Sequence, residues 1–189
     1  PYNSFAFVKK AESYKKLGNI EETMKLYEKG IELNPFDYYA VFNKGNIHYE
    51  MHDYDMALEC YNKAIKINPD KHEAYYNKAI TYKRLKKNEK ALKAIDQAIR
   101  NDQNQYTYFN NKGIILKSLK RYNEALDSFR KANFLNPNDI KIFSNLGNTL
   151  IEMNRLEEAI ICYDDAIKLD PRFPEFYNNK ALVYFALEK

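Results

Sequence analysis

Large and small residues alternate along this chain at fixed intervals. Bulky side chains stand at Phe7, Val41, Tyr75, Phe109, Phe143 and Tyr177, and four residues after each comes Ala11, Gly45, Ala79, Gly113, Gly147 or Ala181. Residues four apart share one face of an α-helix, so each pair predicts a helix that a neighbour crosses closely at its small residue. A second helical pattern follows each first one. It places Ala57, Ala91, Ala125 and Ala159, with Thr23 as the exception, and then Gly30, Ala64, Ala98, Ala132 and Ala166, around bulky Tyr27, Tyr61, Ile95, Phe129 and Tyr163. Large against small is how helices interdigitate densely. Between the two patterns lie "LGNI", "MHDY", "LKKN", "LKRY" and "MNRL", room only for a tight helix-to-helix turn.

The repeat length follows from the prolines. Pro35 and Pro69 are 34 residues apart, as are Pro137 and Pro171, and Gln103 fills the missing place. Each proline ends the second helix, because the residue before proline is pushed out of helical backbone. The chain therefore reads as one domain of helical hairpins over 4–189. Its repeats run 4–37, 38–71, 72–105, 106–139 and 140–173, with a partial sixth at 174–189. Helix A is expected over about positions 1 to 14 of each repeat and helix B over about 17 to 31.

Position 6 is odd for a helix. It holds Lys9 once and then Asn43, Asn77, Asn111, Asn145 and Asn179, although Asn is a mediocre helix former.

Composition narrows the function classes. No apolar run approaches the roughly 18 to 20 residues that span a bilayer, and the first ten residues lack a signal-peptide core, so a cytoplasmic protein is expected. The net charge of +4 comes from 30 basic and 26 acidic residues spread evenly, which gives no electrostatic case for nucleic acid or membrane. The 17 Tyr and 11 Phe suggest base stacking at first sight, but a large share of them falls at packing positions 4, 11, 17 and 24. RNA binding is thus a weaker reading. Cys60 and Cys162 occupy equivalent places three repeats apart and read as free, buried thiols. "HYEMH", from His48 to His52, has its Glu at the third place and not the second, so it fails as a zinc-protease motif. No catalytic constellation, metal set or cofactor loop is present, and no catalysis is expected.

The spacing and the three small positions resemble the tetratricopeptide repeat (TPR) family across essentially the whole chain. Two departures stand out: Lys10, Lys44, Lys78, Lys112 and Lys180 where the family has Leu at position 7, with Leu146 alone conforming, and no Trp at position 4. A Lys stem can lie along apolar surface with its ammonium in water, so the fold is not threatened. The resemblance implies an all-α, right-handed solenoid with helices A on the concave side and helices B on the convex side.

It also implies where a ligand would lie. In the family, concave positions are chiefly 2, 5, 6, 9, 12 and 13. Here these form an asparagine row at Asn43, Asn77, Asn111, Asn145 and Asn179. Beside it are an aromatic patch from Tyr39, Phe42, Tyr49 and Tyr76, and a locally basic floor at Lys83, Arg84 and Lys117. Acidic groove residues nearly offset the basic ones. An Asn amide matches the C=O and N–H of an extended backbone, as in the similar array of the O-linked N-acetylglucosamine transferase; the same amides also suit local hydrogen bonding. The carboxylate clamp that some relatives use on acidic chaperone tails is not expected, since its cationic positions hold Phe42, Thr107, Tyr76 and Asn145. The expectation is a scaffold that binds a protein or extended peptide in its groove, with a substrate-recruiting array attached to a transferase as the alternative. The unfinished sixth repeat further suggests an excerpt of a longer chain or a docked complex.

Overall fold

The computed structural model describes residues 3–187, and those residues form eleven α-helices and no strand. The chain divides into two compact bodies, Pro1–Asn101 and Asp102–Lys189, whose boundary falls beside Gln103, where the repeating proline is missing. Repeats 1 to 3 make the first body: α1 (Ser4–Lys16), α2 (Ile20–Leu33), α3 (Tyr38–Glu50), α4 (Tyr54–Ile67), α5 (His72–Arg84) and α6 (Asn88–Asn101). Repeats 4, 5 and the partial sixth make the second: α7 (Tyr106–Ser118), α8 (Tyr122–Leu135), α9 (Ile140–Glu152), α10 (Leu156–Leu169) and α11 (Pro174–Leu187). In the five complete repeats helix A spans positions 1 to 13 and helix B 17 to 30, one residue short of expectation at each C-terminus, while α11 spans positions 1 to 14. The last two residues of the sixth repeat, Glu188 and Lys189, lie outside the described residues.

The shortfall has a physical cause in the turns. Position 15 of every complete repeat, at Gly18, His52, Lys86, Lys120 and Asn154, has left-handed backbone with φ of 76°, 63°, 56°, 60° and 57°. The next N–H reaches back five residues, as in Asn19 to the Tyr14 carbonyl (3.0 Å) and Asp53 to that of His48 (2.9 Å). Capping of this kind stops helix A with its last carbonyls satisfied. At the other end of helix B, the side chains of Asn34, Asn68, Asn136 and Asp170 accept from the N–H two residues on, closing the turn that the following proline begins.

Within each body, consecutive helices pack, and helices A also meet one another, α3 with α5 and α7 with α9. The small positions are fully buried, Ala181 in α11 excepted. Thr23, the one hydroxyl among them, is satisfied by the Asn19 carbonyl at 2.7 Å. Position 24 is equally buried in all five complete repeats. Its side chain lies directly on position 8 of the same hairpin: a Cβ on Gly113 would stand 2.5 Å from the Phe129 ring, one on Gly147 2.5 Å from the Tyr163 ring, and one on Gly45 2.9 Å from the Tyr61 ring. Position 4 is less uniform, since Val41 and Phe143 are buried, Phe7, Tyr75 and Phe109 half-buried, and Tyr177 exposed.

The lysines at position 7 do more than solvate their tips. Lys44 pairs with Glu28 at 2.8 Å and Lys180 with Asp164 at 2.5 Å, each reaching the helix B of the preceding repeat. The thiols of Cys60 and Cys162 are free but only partly buried. Burial raises the pKa of both, that of Cys162 to about 12.

Glycine substitutions separate these packing regimes. Gly113→Ala should destabilise the fold by about 2 kcal/mol, because overpacking against the Phe129 ring outweighs the gain in helix propensity. At Gly30 an added Cβ meets only ordinary contacts at 3.7 Å, so Gly30→Ala should be stabilising by up to about 1 kcal/mol. Urea denaturation midpoints at constant m check both.

Candidate functional site

The position-6 asparagines are all half-buried, and each is held by the protein itself. In the first body, the Asn77 amide donates to Asn46 Oδ1 at 2.7 Å, and the Tyr61 hydroxyl donates to the same oxygen at 2.9 Å. Asn77 also hydrogen-bonds the Tyr61 hydroxyl, whose pKa burial drives well above the usual tyrosine range. Asn43 does the same for Tyr27, a hydroxyl pushed up to about 12 by burial and by the charges of Glu12 and Glu50. In the second body, Asn179 is bonded to Tyr163, and that hydroxyl donates to Asn148 Oδ1 at 3.0 Å. Where the preceding repeat has no tyrosine at position 24, the amide turns elsewhere. Asn145 donates to Asn110 Oδ1 at 2.8 Å, and Asn111 to the Thr107 carbonyl at 3.0 Å.

Behind this lies a covariation along the chain itself. Tyr27, Tyr61 and Tyr163 occur in repeats whose position 9 is Glu12, Asn46 and Asn148. Ile95 and Phe129 occur where it is Ile80 and Ile114. Repeats 1, 2 and 5 thus hold a polar layer between helices A and B, and repeats 3 and 4 an apolar one. A buried hydroxyl needs an acceptor, and a buried amide needs something to bond.

Bonds also run along the inner wall from position 12 of one repeat to position 13 of the next. Lys15 meets Glu50 at 2.6 Å, Arg84 donates to the Tyr49 hydroxyl at 3.3 Å, and Lys117 meets Glu152 at 3.1 Å. Lys117 is therefore charge-paired and not part of an open basic floor. Lys83 is half-buried, and burial together with the neighbouring Arg84 charge lowers its pKa.

The aromatic residues divide. Tyr49 joins Asn46, Asn77, Tyr61 and Ile80 around a cavity of about 190 Å³, with the Lys15–Glu50 pair at its rim. Phe42 is drawn into packing, stacked on Tyr38 (centroids 5.5 Å, planes 9° apart) and tilted against Tyr61. Tyr39 is 54% exposed, and Lys71 lies over its ring at 5.5 Å. Tyr76 is half-buried in α5. Sequence reasoning placed Asn77 and Tyr49 in the groove but did not join Asn46 to them; a comparison of columns 9 and 24 would have pointed to it.

His48 packs at position 11 with Nδ1 3.1 Å from Asp53, and His52 sits in the turn 3.0 Å from the Tyr54 hydroxyl. No group of three His, Cys, Asp or Glu residues among the described residues is arranged to hold a metal ion. None of the described helices is long and apolar enough to cross a membrane.

The polar layer makes a direct prediction. Asn46→Ile should cost about 2 kcal/mol, because it leaves the buried Tyr61 hydroxyl without its acceptor, whereas Asn46→Ile with Tyr61→Phe should cost under about 1 kcal/mol by reproducing the apolar layer of repeat 4. Chemical denaturation of the two variants beside the parent decides the matter.

Comparison with known proteins agrees with this architecture. Models described as tetratricopeptide repeat match residues 6–37, 38–71, 60–93 and 106–139, and one described as TPR repeat matches 147–187. No curated protein matches the chain. Among solved structures, YrrB, described as a TPR protein with an unusual peptide-binding site, is similar with a TM-score of 0.81 and 21% identity over 95% of this chain and 92% of its own. MamA from Desulfovibrio magneticus RS-1 is similar with a TM-score of 0.83 and 17% identity, covering 89% of this chain and 95% of its own. A tetratricopeptide repeat protein from Parabacteroides merdae gives 0.85 and 19% over 98% and 74%. At these identities the likeness speaks to the fold. With its 34-residue period, its hairpins and its small crossing positions, the chain is all-α and belongs to the tetratricopeptide repeat family.

Proposed function

We propose that this chain is a protein-interaction scaffold that holds an extended segment of a partner protein against the inner walls formed by its A helices. The observation that carries this is the cavity at Asn46, Tyr49, Asn77 and Ile80. Its polar floor is already oriented by Tyr61, its walls are aromatic and aliphatic, and its rim is a Lys15–Glu50 pair of balanced charge. A largely preformed concave site with few fixed polar groups suits a side chain of an incoming segment. An amide has two N–H donors and an acceptor with two lone pairs, so one bond to a neighbouring repeat does not exhaust it. Ordering the wall in advance also lowers what association costs in side-chain entropy. The peptide-binding site ascribed to YrrB supports a reading of the same kind here. The work assigned to these residues is binding, in a cellular compartment expected to be the cytoplasm.

Affinity capture with the parent chain and with Asn77→Ala/Asn111→Ala/Asn145→Ala tests the proposal. The captured proteins should be lost from the triple variant while its helical circular dichroism is kept and its melting midpoint stays above the assay temperature. An unchanged set of captured proteins would remove the asparagines from the site.

A further inference from the structure

Each of repeats 2 to 5 has an outer furrow walled by positions 4 and 7 of its helix A and by positions including 22 or 23 and 26 of its helix B, joined in repeats 2 and 5 by residues of the preceding helix B. The backbone that makes these furrows is the same in kind, so differences in lining are not demanded by the fold. Repeat 4 lines its furrow with two cations, Lys112 and Lys131, and two acids, Glu124 and Asp127. Repeat 2 places Glu59 between Lys44 and Lys63, and repeat 5 carries Glu158 and Asp165 with Arg130. Repeat 3 departs from all of them. Lys78, Lys90, Lys93 and Arg100 surround a furrow of about 420 Å³ in which Asp96 is the one acid among the described lining residues.

This excess of positive charge costs the fold something and, beyond the contact of Lys90 with the Tyr82 ring, returns little visible to it. Lys90 and Lys93 are like charges three apart on α6, an arrangement that destabilises a helix. In the corresponding stretches of α8 and α10, acids take position 19 and pair with Arg121 and Arg155 at 2.6 Å. Lys78 occupies the place from which Lys44 and Lys180 reach Glu28 and Asp164, but its counterpart on the preceding helix is Asn62. Burial lowers the pKa of Lys78, which is what a lysine partly withdrawn from water without a counter-ion shows. Tyr75 and Tyr82 supply apolar walls, with Lys90 5.9 Å over the Tyr82 ring.

We propose that the outer furrow of repeat 3 is a docking site for an acidic segment of a protein partner, carrying an aromatic or aliphatic side chain among its carboxylates. Carboxylates would supply the counter-charge missing from Lys78, Lys90, Lys93 and Arg100, and the central side chain would lie between Tyr75 and Tyr82. The furrow uses none of the inner-wall residues, so the site stands or falls independently of the peptide site on helices A.

The probe is a fluorescein-labelled nonapeptide of eight glutamates around a central tyrosine, followed by anisotropy at low salt. Lys90→Glu/Lys93→Glu is compared with Lys63→Glu/Lys131→Glu, which makes the same change of net charge in the furrows of repeats 2 and 4. All four lysines are exposed, so both variants should fold, as circular dichroism verifies. Saturable binding should weaken at least tenfold in the repeat 3 variant, stay within twofold in the control, and fall as salt is raised. Equal losses in the two variants, or no saturable binding by the parent chain, would overturn the proposal. So would tighter binding of a nine-nucleotide single-stranded RNA through the same two lysines.

Discussion

The side chain at position 24 of helix B lies against the backbone at position 8 of helix A in the same hairpin, and in repeats 2, 4 and 5 it leaves no room there for a Cβ. At Tyr61, Phe129 and Tyr163 the facing residue is glycine, and an added Cβ would stand 2.5 to 2.9 Å from the ring; Tyr27, in repeat 1, faces Ala11 instead. The contact sets how near the two helices come. It also holds the ring where its outer edge reaches the next helix A, which is why residues 9 and 6 on the inner wall depend on what occupies position 24. A phenolic hydroxyl at that edge requires polar neighbours; a Phe or Ile there requires none.

The inner wall therefore has two characters, and its polar stretches are not simply solvent-facing decoration. Tyr61 with Asn46 and Asn77 and Tyr163 with Asn148 and Asn179 are structural ties whose half-buried amides also line the wall. Stability and recognition share the same side chains here. Such sharing explains why a helix accepts Asn at an interior position: the local propensity cost of a few tenths of a kcal/mol is smaller than the roughly 1 kcal/mol net worth of a hydrogen bond.

Most of the fold was legible from single columns of the repeat. Small residues at positions 8, 20 and 27, the prolines and the short turns placed every helix to within about a residue. The left-handed position 15 was not, because only Gly18 and Asn154 of the five residues there favour that backbone, while Lys86 and Lys120 give no sign of it. The missed features of the wall are relations between columns. The pairs Lys15–Glu50, Tyr49–Arg84 and Lys117–Glu152 each join residues 35 apart, and Lys44–Glu28 and Lys180–Asp164 join residues 16 apart. Read one residue at a time, Lys117 looks like open positive charge and Lys44 like a solvated stem. The packing of Phe42 was hidden for a similar reason, since its stacking on Tyr38 depends on a neighbour four residues back in the same helix.

The dependence of the inner wall on position 24 is tested most directly by a double-mutant cycle across the repeat boundary, with Tyr61→Phe and Asn77→Ala made singly and together and stability read from urea denaturation. A hydrogen-bonded tie predicts a coupling of about 1 kcal/mol between the two sites. Strict additivity would contradict it, leaving position 24 without an energetic tie to the asparagine of the next repeat.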